Sequence, residues 1–460
     1  MTTLTASPAP VTHDRMTTRQ RLVLVLLLGS QFMLAVDFSI LNVALPVIGA
    51  GLGFPLADLQ WVATTFALAA AGFTLLSGRV ADLFGRRRLF MIGMALLGAS
   101  SLAGGLASSP GMLLAARVAQ GVATAIVTPA GLSLLTTSFS EGPMRARALG
   151  LNGALMSAGF TSGAMLGGLL TDLLSWRWAF FVNVPVALAV LVATPALLQE
   201  SRPAHRPRMD LAGAVTVTAG LLALVFGLTR TGEHGFADPA GLAALAVGTA
   251  LLVAFWFVER RAAAPLVPVS IMKRSTVKWG NLAGLVAFAT ETSLVFLMTL
   301  YLQKVLGYSA LATGLSFGVL GLGTVAGGVV APRVVARVGT GRALAFGFGT
   351  QAVATASLVL LGSAPGWIWL LLAATFVGGI GNMVAIVTFM IVATSGLPDS
   401  QQGMATGLAT MTQQVGITMG IPIMSAVATA AMGTILQGVI VAVIVNAALA
   451  LGGAFIRTSR

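Results

Sequence analysis

Polar residues in this chain gather in short segments between long apolar stretches. A helix needs roughly 20 apolar residues to cross a bilayer. Stretches of that kind fall near 22–48, 58–77, 89–107, 112–138, 147–172, 179–198, 211–229, 239–258, 280–303, 310–331, 342–362, 366–391, 403–430 and 434–456. The pattern predicts an all-α membrane protein with fourteen transmembrane helices. An even number of crossings places both termini on one side. Residues 1–18 are polar, include Pro8 and Pro10, and read as a disordered arm. Arg19 and Arg21 then precede an apolar stretch too long for a signal peptide and without a convincing cleavage site, so the first span is expected to be retained.

Composition supports the bilayer as solvent. The chain has 460 residues, 57% hydrophobic and 8% charged, with a mean hydropathy of +0.94. Soluble domains carry about 25% charged residues. A net charge of +13 would suit a nucleic-acid binder, but its distribution argues against one. Apart from Arg117, Arg177, Arg230 and Lys304, every Lys and Arg lies in the N-terminal arm, the C-terminal tail or alternate inter-helix segments. Arg86-Arg87-Arg88, Arg145/Arg147, Arg202/Arg206/Arg208, Arg260/Arg261/Lys273/Arg274/Lys278 and Arg333/Arg337/Arg342 share one side. The positive-inside rule makes that side, and both termini, cytoplasmic. All seven tryptophans stand near predicted span ends, where interfacial anchoring is expected. The chain has no cysteine, which excludes disulfides and thiolate chemistry, and its three histidines lie outside the apolar segments, so no metal or other cofactor is expected.

An internal repeat is visible. Gly150, Gly159 and Gly163 recur as Gly407, Gly416 and Gly420 at a constant offset of 257, and Gly85-Arg86 is echoed by Gly341-Arg342. Two six-helix halves separated by two extra helices give this spacing, a parallel repeat of the kind used by transporters. The expected organisation is an arm (1–18), a six-helix bundle (19–198), two inserted helices (199–262), a cytoplasmic linker (263–279) and a second six-helix bundle (280–460).

Several motifs carry a family resemblance. The loop Gly78-Arg79-Val80-Ala81-Asp82-Leu83-Phe84-Gly85-Arg86-Arg87 resembles the G-x-L-A-D-R-x-G-R-K loop of the major facilitator superfamily. Asp37-Phe38-Ser39-Ile40-Leu41-Asn42-Val43-Ala44-Leu45-Pro46 is similar to the first-span segment of the fourteen-helix drug:proton antiporters. Arg117-Val118-Ala119-Gln120-Gly121 resembles their R-x-x-Q-G. Gly159-Phe160-Thr161-Ser162-Gly163-Ala164-Met165-Leu166-Gly167-Gly168 resembles the antiporter motif, with Ala164 in place of its proline. The run from Trp176 to Pro185 matches W-R-W-x-F-x-x-N-x-P. The thirteenth span departs from the family, with Gln413-Gln414 where relatives place Arg-Gln and with no acid. The resemblance implies two pseudo-symmetric bundles plus two inserted helices, and a proton-coupled exporter of hydrophobic drugs, antibiotics or secondary metabolites.

The candidate chemistry is sparse. Asp37 sits mid-span without a charged sequence neighbour, and intramembrane acids default to function. It reads as a proton carrier or as a neutral packing hydrogen bond. Arg117 keeps its charge and needs a partner. Pairing with Asp37 could couple protonation to conformation or lock two helices. Glu291 lies 13 residues after Lys278, roughly 20 Å along the helix. It reads as a second proton site, a counter-charge for cargo beside the central cavity, or a packing group. Gly78, Asp82, Gly85, Arg86 and Arg87 suit a cytoplasmic gate, with Asp82 accepting from a helix N-terminus or an arginine. Gly159, Gly163, Gly167 and Gly168 form a small face for close contact between halves, or for ordinary packing. Asn42, Gln120, Asn152, Asn382, Gln413 and Gln414 could line the cavity or serve as inter-helix hydrogen bonds. Asp58 and Asp172 are assigned no special role.

The expected protein is therefore an inner-membrane transporter and not an enzyme, since the deep polar residues form no nucleophile–base set. Its partners are a small hydrophobic or amphiphilic substrate, protons and lipid, not nucleic acid, and it acts as a monomer powered by the proton gradient. A dedicated single-metabolite exporter, a proton symporter, and a non-transporting receptor or scaffold remain alternatives.

Overall fold

A computed structural model of the chain describes residues 16–55, 58–139, 143–200, 210–235, 237–262, 265, 269–396, 399–431 and 433–456. These residues form helices and no strand: α1 (Thr18–Leu52), α2 (Gln60–Phe84), α3 (Arg86–Gly105), α4 (Pro110–Ser138), α5 (Pro143–Leu173), α6 (Trp178–Phe181), α7 (Asn183–Leu197), α8 (Leu211–His234), α9 (Pro239–Arg261), α10 (Val269–Met272), α11 (Ser275–Leu300), α12 (Ala310–Ser357), α13 (Ile368–Thr394), α14 (Asp399–Ala430) and α15 (Ile435–Ala454). A π-helical turn, Tyr301–Val305, extends α11. Apolar helices satisfy their own backbone, and polar caps start them where the apolar run begins. Thr17 and Gln20 form a capping box on α1, Thr434 and Gln437 another on α15, and Asp238 caps α9 ahead of Pro239.

Each predicted span coincides with helix, and the structure adds one detail. The tenth and eleventh predicted spans are two helices that meet within α12 at a kink, where Gly339 (φ 79°, ψ 165°) leaves the helical conformation. This left-handed break falls two residues before Gly341, where the sequence echo places the turn. Among the described residues, ten helical segments are long and apolar enough to cross a membrane by length and composition.

Helices α1–α7 pack as one group and α11–α15 as another, and the two groups repeat each other closely. A side chain at Gly159 of α5 would meet Phe32 and Ala35 of α1, and at Gly163 it would meet Val36 and Ser39. In α14, Gly416 meets Leu285 and Phe288 of α11, and Gly420 meets Ala289 and Thr292. All four pairs (32 and 285, 35 and 288, 36 and 289, 39 and 292) put α1 and α11 in one register, 253 residues apart.

The halves meet along two seams, α5 against α12 and α2 against α14. Thr418 donates across the second seam to the Ala67 carbonyl at 2.8 Å. The α8–α9 pair lies over this seam. Thr218 of α8 donates to the Gly72 carbonyl of α2 at 2.6 Å, and Val217 and Leu221 share a core with Leu76 of α2 and Leu408 of α14.

The two cores fuse at one end of the molecule and part at the other. Near the C-terminal ends of α1 and α11, one cluster joins Ile40, Val43 and Ile48 to Val295, Leu297, Tyr301 and Met424. Toward the opposite end, Leu27, Phe90 and Leu134 belong to one core, and Phe288, Leu344 and Phe389 to another. At the fused end Gln303 donates to the Val43 carbonyl at 2.9 Å. The Leu311 amide donates to Asp172 Oδ2, also at 2.9 Å, so Asp172 caps the first turn of α12 from across the seam. Sequence reasoning gives Asp172 no role. It also makes all seven tryptophans interfacial, but Trp176 is buried in the fused core with its edge on Phe180 and Arg177 over its face.

Candidate functional site

The first half encloses a charged network. Asp37 of α1 is wholly buried, and its Oδ1 accepts from Gln120 Nε2 at 3.1 Å and from Asn183 Nδ2. Arg117 of α4 lies with Nη1 3.5 Å from Asp37 Oδ2. The guanidinium is held from three further sides. Its Nε donates to the Val62 carbonyl at 3.0 Å, Nη1 donates to Gln120 Oε1 at 2.8 Å, and its carbon lies 4.1 Å from the centre of the Phe66 ring. Gln120 also donates to Ser101 Oγ at 2.8 Å. Five helices therefore meet in one network, of which α4 and α7 reach the carboxyl of α1 directly. Its Oδ1 has its donors, while its Oδ2 is buried without a hydrogen bond and faces the arginine alone. Oδ2 is thus the oxygen free to take a proton, and doing so would weaken its attraction to Arg117.

Sequence reasoning brings Asp37 and Arg117 to this site and misses Ser101 and Asn183. The signal for Asn183 is present, as the Asn of the W-R-W-x-F-x-x-N-x-P segment. Gln120, expected either to line a cavity or to bond between helices, does the second: it is fully enclosed, with both ends of its amide committed to Arg117, Asp37 and Ser101.

The second half repeats the arrangement without charge. By the α1–α11 register, Thr290 stands in the place of Asp37. Its hydroxyl accepts from Gln351 Nε2 at 2.9 Å, and its carbonyl accepts from Asn446 Nδ2 at 3.0 Å. Asn382 Nδ2 donates to the Ala287 carbonyl at 3.1 Å and to Gln351 Oε1 at 3.4 Å. Glu291 stands one residue on, in the place of Phe38. It is half-buried and, among the described residues, has neither ion pair nor hydrogen bond. It lines a cleft with Leu294, Val295, Met298, Phe317, Leu320, Gln351, Thr375 and Asn382. The cleft is lined by α11, α12 and α13, all in the second half.

The glycine face divides its work. Gly159, Gly163 and Gly167 lie against the backbone of α1 within the first half. Gly168 alone crosses the seam, where an added Cβ would approach the Ala310 carbonyl and come within 3.1 Å of Leu311 Cα. The expected contact between halves thus rests on one of the four, met by Gly314 of α12 from the other side.

In the gate loop, Gly85 takes φ 106°, a conformation that favours glycine, and lets the chain turn sharply from α2 into α3. Gly78 packs toward Pro129 of α4. The Arg87 amide donates to Glu200 Oε1 at 3.1 Å, and its side chain donates to the Leu198 carbonyl at 3.1 Å, tying the start of α3 to the end of α7. Arg86 begins α3. Asp82 lies on α2 and Asn42 on α1, but their side chains are outside the described residues. Asn152 is half-buried with an unpartnered Oδ1, Gln413 is half-buried and Gln414 is buried. No group of three His, Cys, Asp or Glu among the described residues is placed to hold a metal ion.

Residues 27–421 match the model of the Major Facilitator Superfamily. The chain belongs to this superfamily. It is a membrane transporter by family and not an enzyme. Similar proteins include the cephamycin export protein CmcT of Amycolatopsis lactamdurans, 41% identical over 87% of this chain and 83% of that one. The puromycin resistance protein pur8 of Streptomyces alboniger is 37% identical over 89% and 82%. The major facilitator fold is also seen in the solved human organic anion transporter MFSD10 (TM-score 0.63, 16% identity, covering 96% of this chain and 100% of that one). A point mutant of the nucleoside transporter NupG aligns with a TM-score of 0.64 at 13% identity, over 95% and 98%.

Proposed function

We propose that this major facilitator protein is a proton-coupled antiporter that exports hydrophobic drugs, antibiotics or secondary metabolites across the cytoplasmic membrane by alternating access. The observation that carries the reading is the enclosed Asp37–Arg117 pair, a carboxyl with one unbonded oxygen opposite a fixed cation. Protonation of Oδ2 would release Arg117 to its other partners, and loss of the proton would restore the ion pair. Such a two-state contact gives proton binding a differential effect on helix position, which coupling requires. A potential of 100 mV supplies about 2.3 kcal/mol per proton moved. The relatives named for cephamycin export and puromycin resistance support antibiotic export.

In this reading the chain makes fourteen crossings with both termini in the cytoplasm, works as a monomer, and uses the proton gradient without a cofactor. The fused core then lies at the outer face and the parted cores at the inner face, so the structure corresponds to an inward-facing state. The α8–α9 insert covers the α2–α14 seam.

Everted membrane vesicles with an imposed pH gradient test the reading. A panel containing puromycin, a cephamycin and a neutral dye should show gradient-driven uptake of at least one compound, collapsed by an uncoupler. Uptake insensitive to the uncoupler would remove proton coupling. Binding without uptake would favour a receptor.

A further inference from the structure

The register between α1 and α11 separates Glu291 from Asp37. Thr290 is the counterpart of Asp37, so Glu291 is not a second copy of the buried charge. Its counterpart is Phe38, whose ring stacks on Phe160 at 5.9 Å and meets Phe66 at 5.8 Å. The second half thus carries a carboxyl on the helix face where the first carries an aromatic ring. That carboxyl holds no other helix in place.

A second acceptor belongs to the same cleft. Asn382 is 3% exposed, and its Nδ2 faces the Ala287 carbonyl. A carbonyl only accepts, so the amide orientation is fixed, and Oδ1 is left buried without a partner. Buried acceptors of this kind call for a missing donor. The donors on the cleft wall point elsewhere: Gln351 Nε2 gives one N–H to Thr290, the Thr375 hydroxyl donates to the Leu371 carbonyl at 2.8 Å, and neither bonds Asn382 Oδ1. The cleft therefore offers a carboxyl and a free amide oxygen against walls of Leu294, Met298 and Phe317. A ligand suited to it brings N–H donors, positive charge and adjoining hydrocarbon.

We propose that this cleft is a subsite for the protonated amine of a monocationic amphiphile, with Glu291 as counter-charge and Asn382 Oδ1 as second acceptor. One carboxyl balances one charge. The proposal rests on the exporter reading and adds the cargo group that the second half recognises.

Equilibrium binding to the purified full chain in lipid nanodiscs tests it without any gradient. The probes are dansylcadaverine, a fluorescent primary amine, its neutral N-acetyl twin and its trimethylammonium twin. Wild type should bind the primary amine roughly ten- to a hundredfold more tightly than the neutral twin, the range expected for a charge-assisted hydrogen bond. The trimethylammonium form should fall between them, because it keeps the charge and lacks N–H. Glu291→Gln should erase the preference while leaving the neutral twin's affinity within about twofold, a range that context alone accounts for. Glu291→Asp should keep part of the preference. Equal binding of all three probes by wild type, or a preference that survives Glu291→Gln, overturns the proposal. If neither Glu291 variant folds, the three-probe comparison in wild type decides by itself. An amine preference without gradient-driven efflux would strike the exporter reading and leave the subsite standing.

Discussion

Asp37 and Thr290 occupy the same place in two copies of one helix arrangement, yet one is a carboxyl facing an arginine and the other a hydroxyl among amides. The surrounding packing is shared. Gly159 and Gly416 allow the same close approach, and Asn183 and Asn446 each reach the central position from the last helix of their half. The duplicated frame therefore does not need charge to hold its helices together. The charge in the first half is then not required by the shared frame, as the proposed coupling role supposes. In the second half an acid stands one residue further along α11, in a cleft that Gln351 and Asn382 of the polar network also line.

The largest break in this comparison should come from Arg117→Met. It leaves Asp37 buried without its cation, and removal of one partner of a buried pair costs about 3–5 kcal/mol. Thermal unfolding in detergent should show a large fall. The double variant Asp37→Asn/Arg117→Met should recover most of it, because it removes both buried charges and keeps an acceptor for Gln120 and Asn183. Additive losses would show that the pair is part of the frame after all.

Gly159→Ala and Gly416→Ala should cost similar amounts, about 1–3 kcal/mol each for overpacking. In both cases the new Cβ meets a backbone carbonyl at 2.7 Å, Phe32 in one half and Leu285 in the other. Unfolding midpoints that differ strongly between the two would break the packing symmetry. Thr290→Val should have the smallest effect, about 1 kcal/mol, since it removes a hydroxyl that accepts from Gln351 and donates to the Val286 carbonyl but retains the shape. Gradient-driven transport should survive it, and its loss would place coupling in both halves.

Much of this was legible in the sequence, for physical reasons. Apolar length fixes helix positions because a bilayer leaves few alternatives, and glycine spacing disclosed the repeat because close helix approach tolerates little else. Asp37 and Arg117 stood out because charge is rare in such segments. What the sequence hid depends on rotation about helix axes. It does not show that Gln120 turns inward to hold Asp37, that Gly168 alone crosses the seam, or that Glu291 faces its own half. Asp172 was overlooked because an acid near a span end is ordinary until a helix N-terminus is found opposite it.

The most direct test compares two fluxes in proteoliposomes for wild type, Asp37→Asn and Thr290→Val. One flux is substrate efflux driven by an imposed pH gradient, and the other is substrate exchange at equilibrium without a gradient. Asn keeps the acceptor for Gln120 and Asn183 but cannot carry a proton at this position. Asp37→Asn is expected to lose gradient-driven efflux while retaining exchange, and Thr290→Val to retain both. Gradient-driven efflux at the wild-type rate in Asp37→Asn would contradict the assignment of coupling to the charged half.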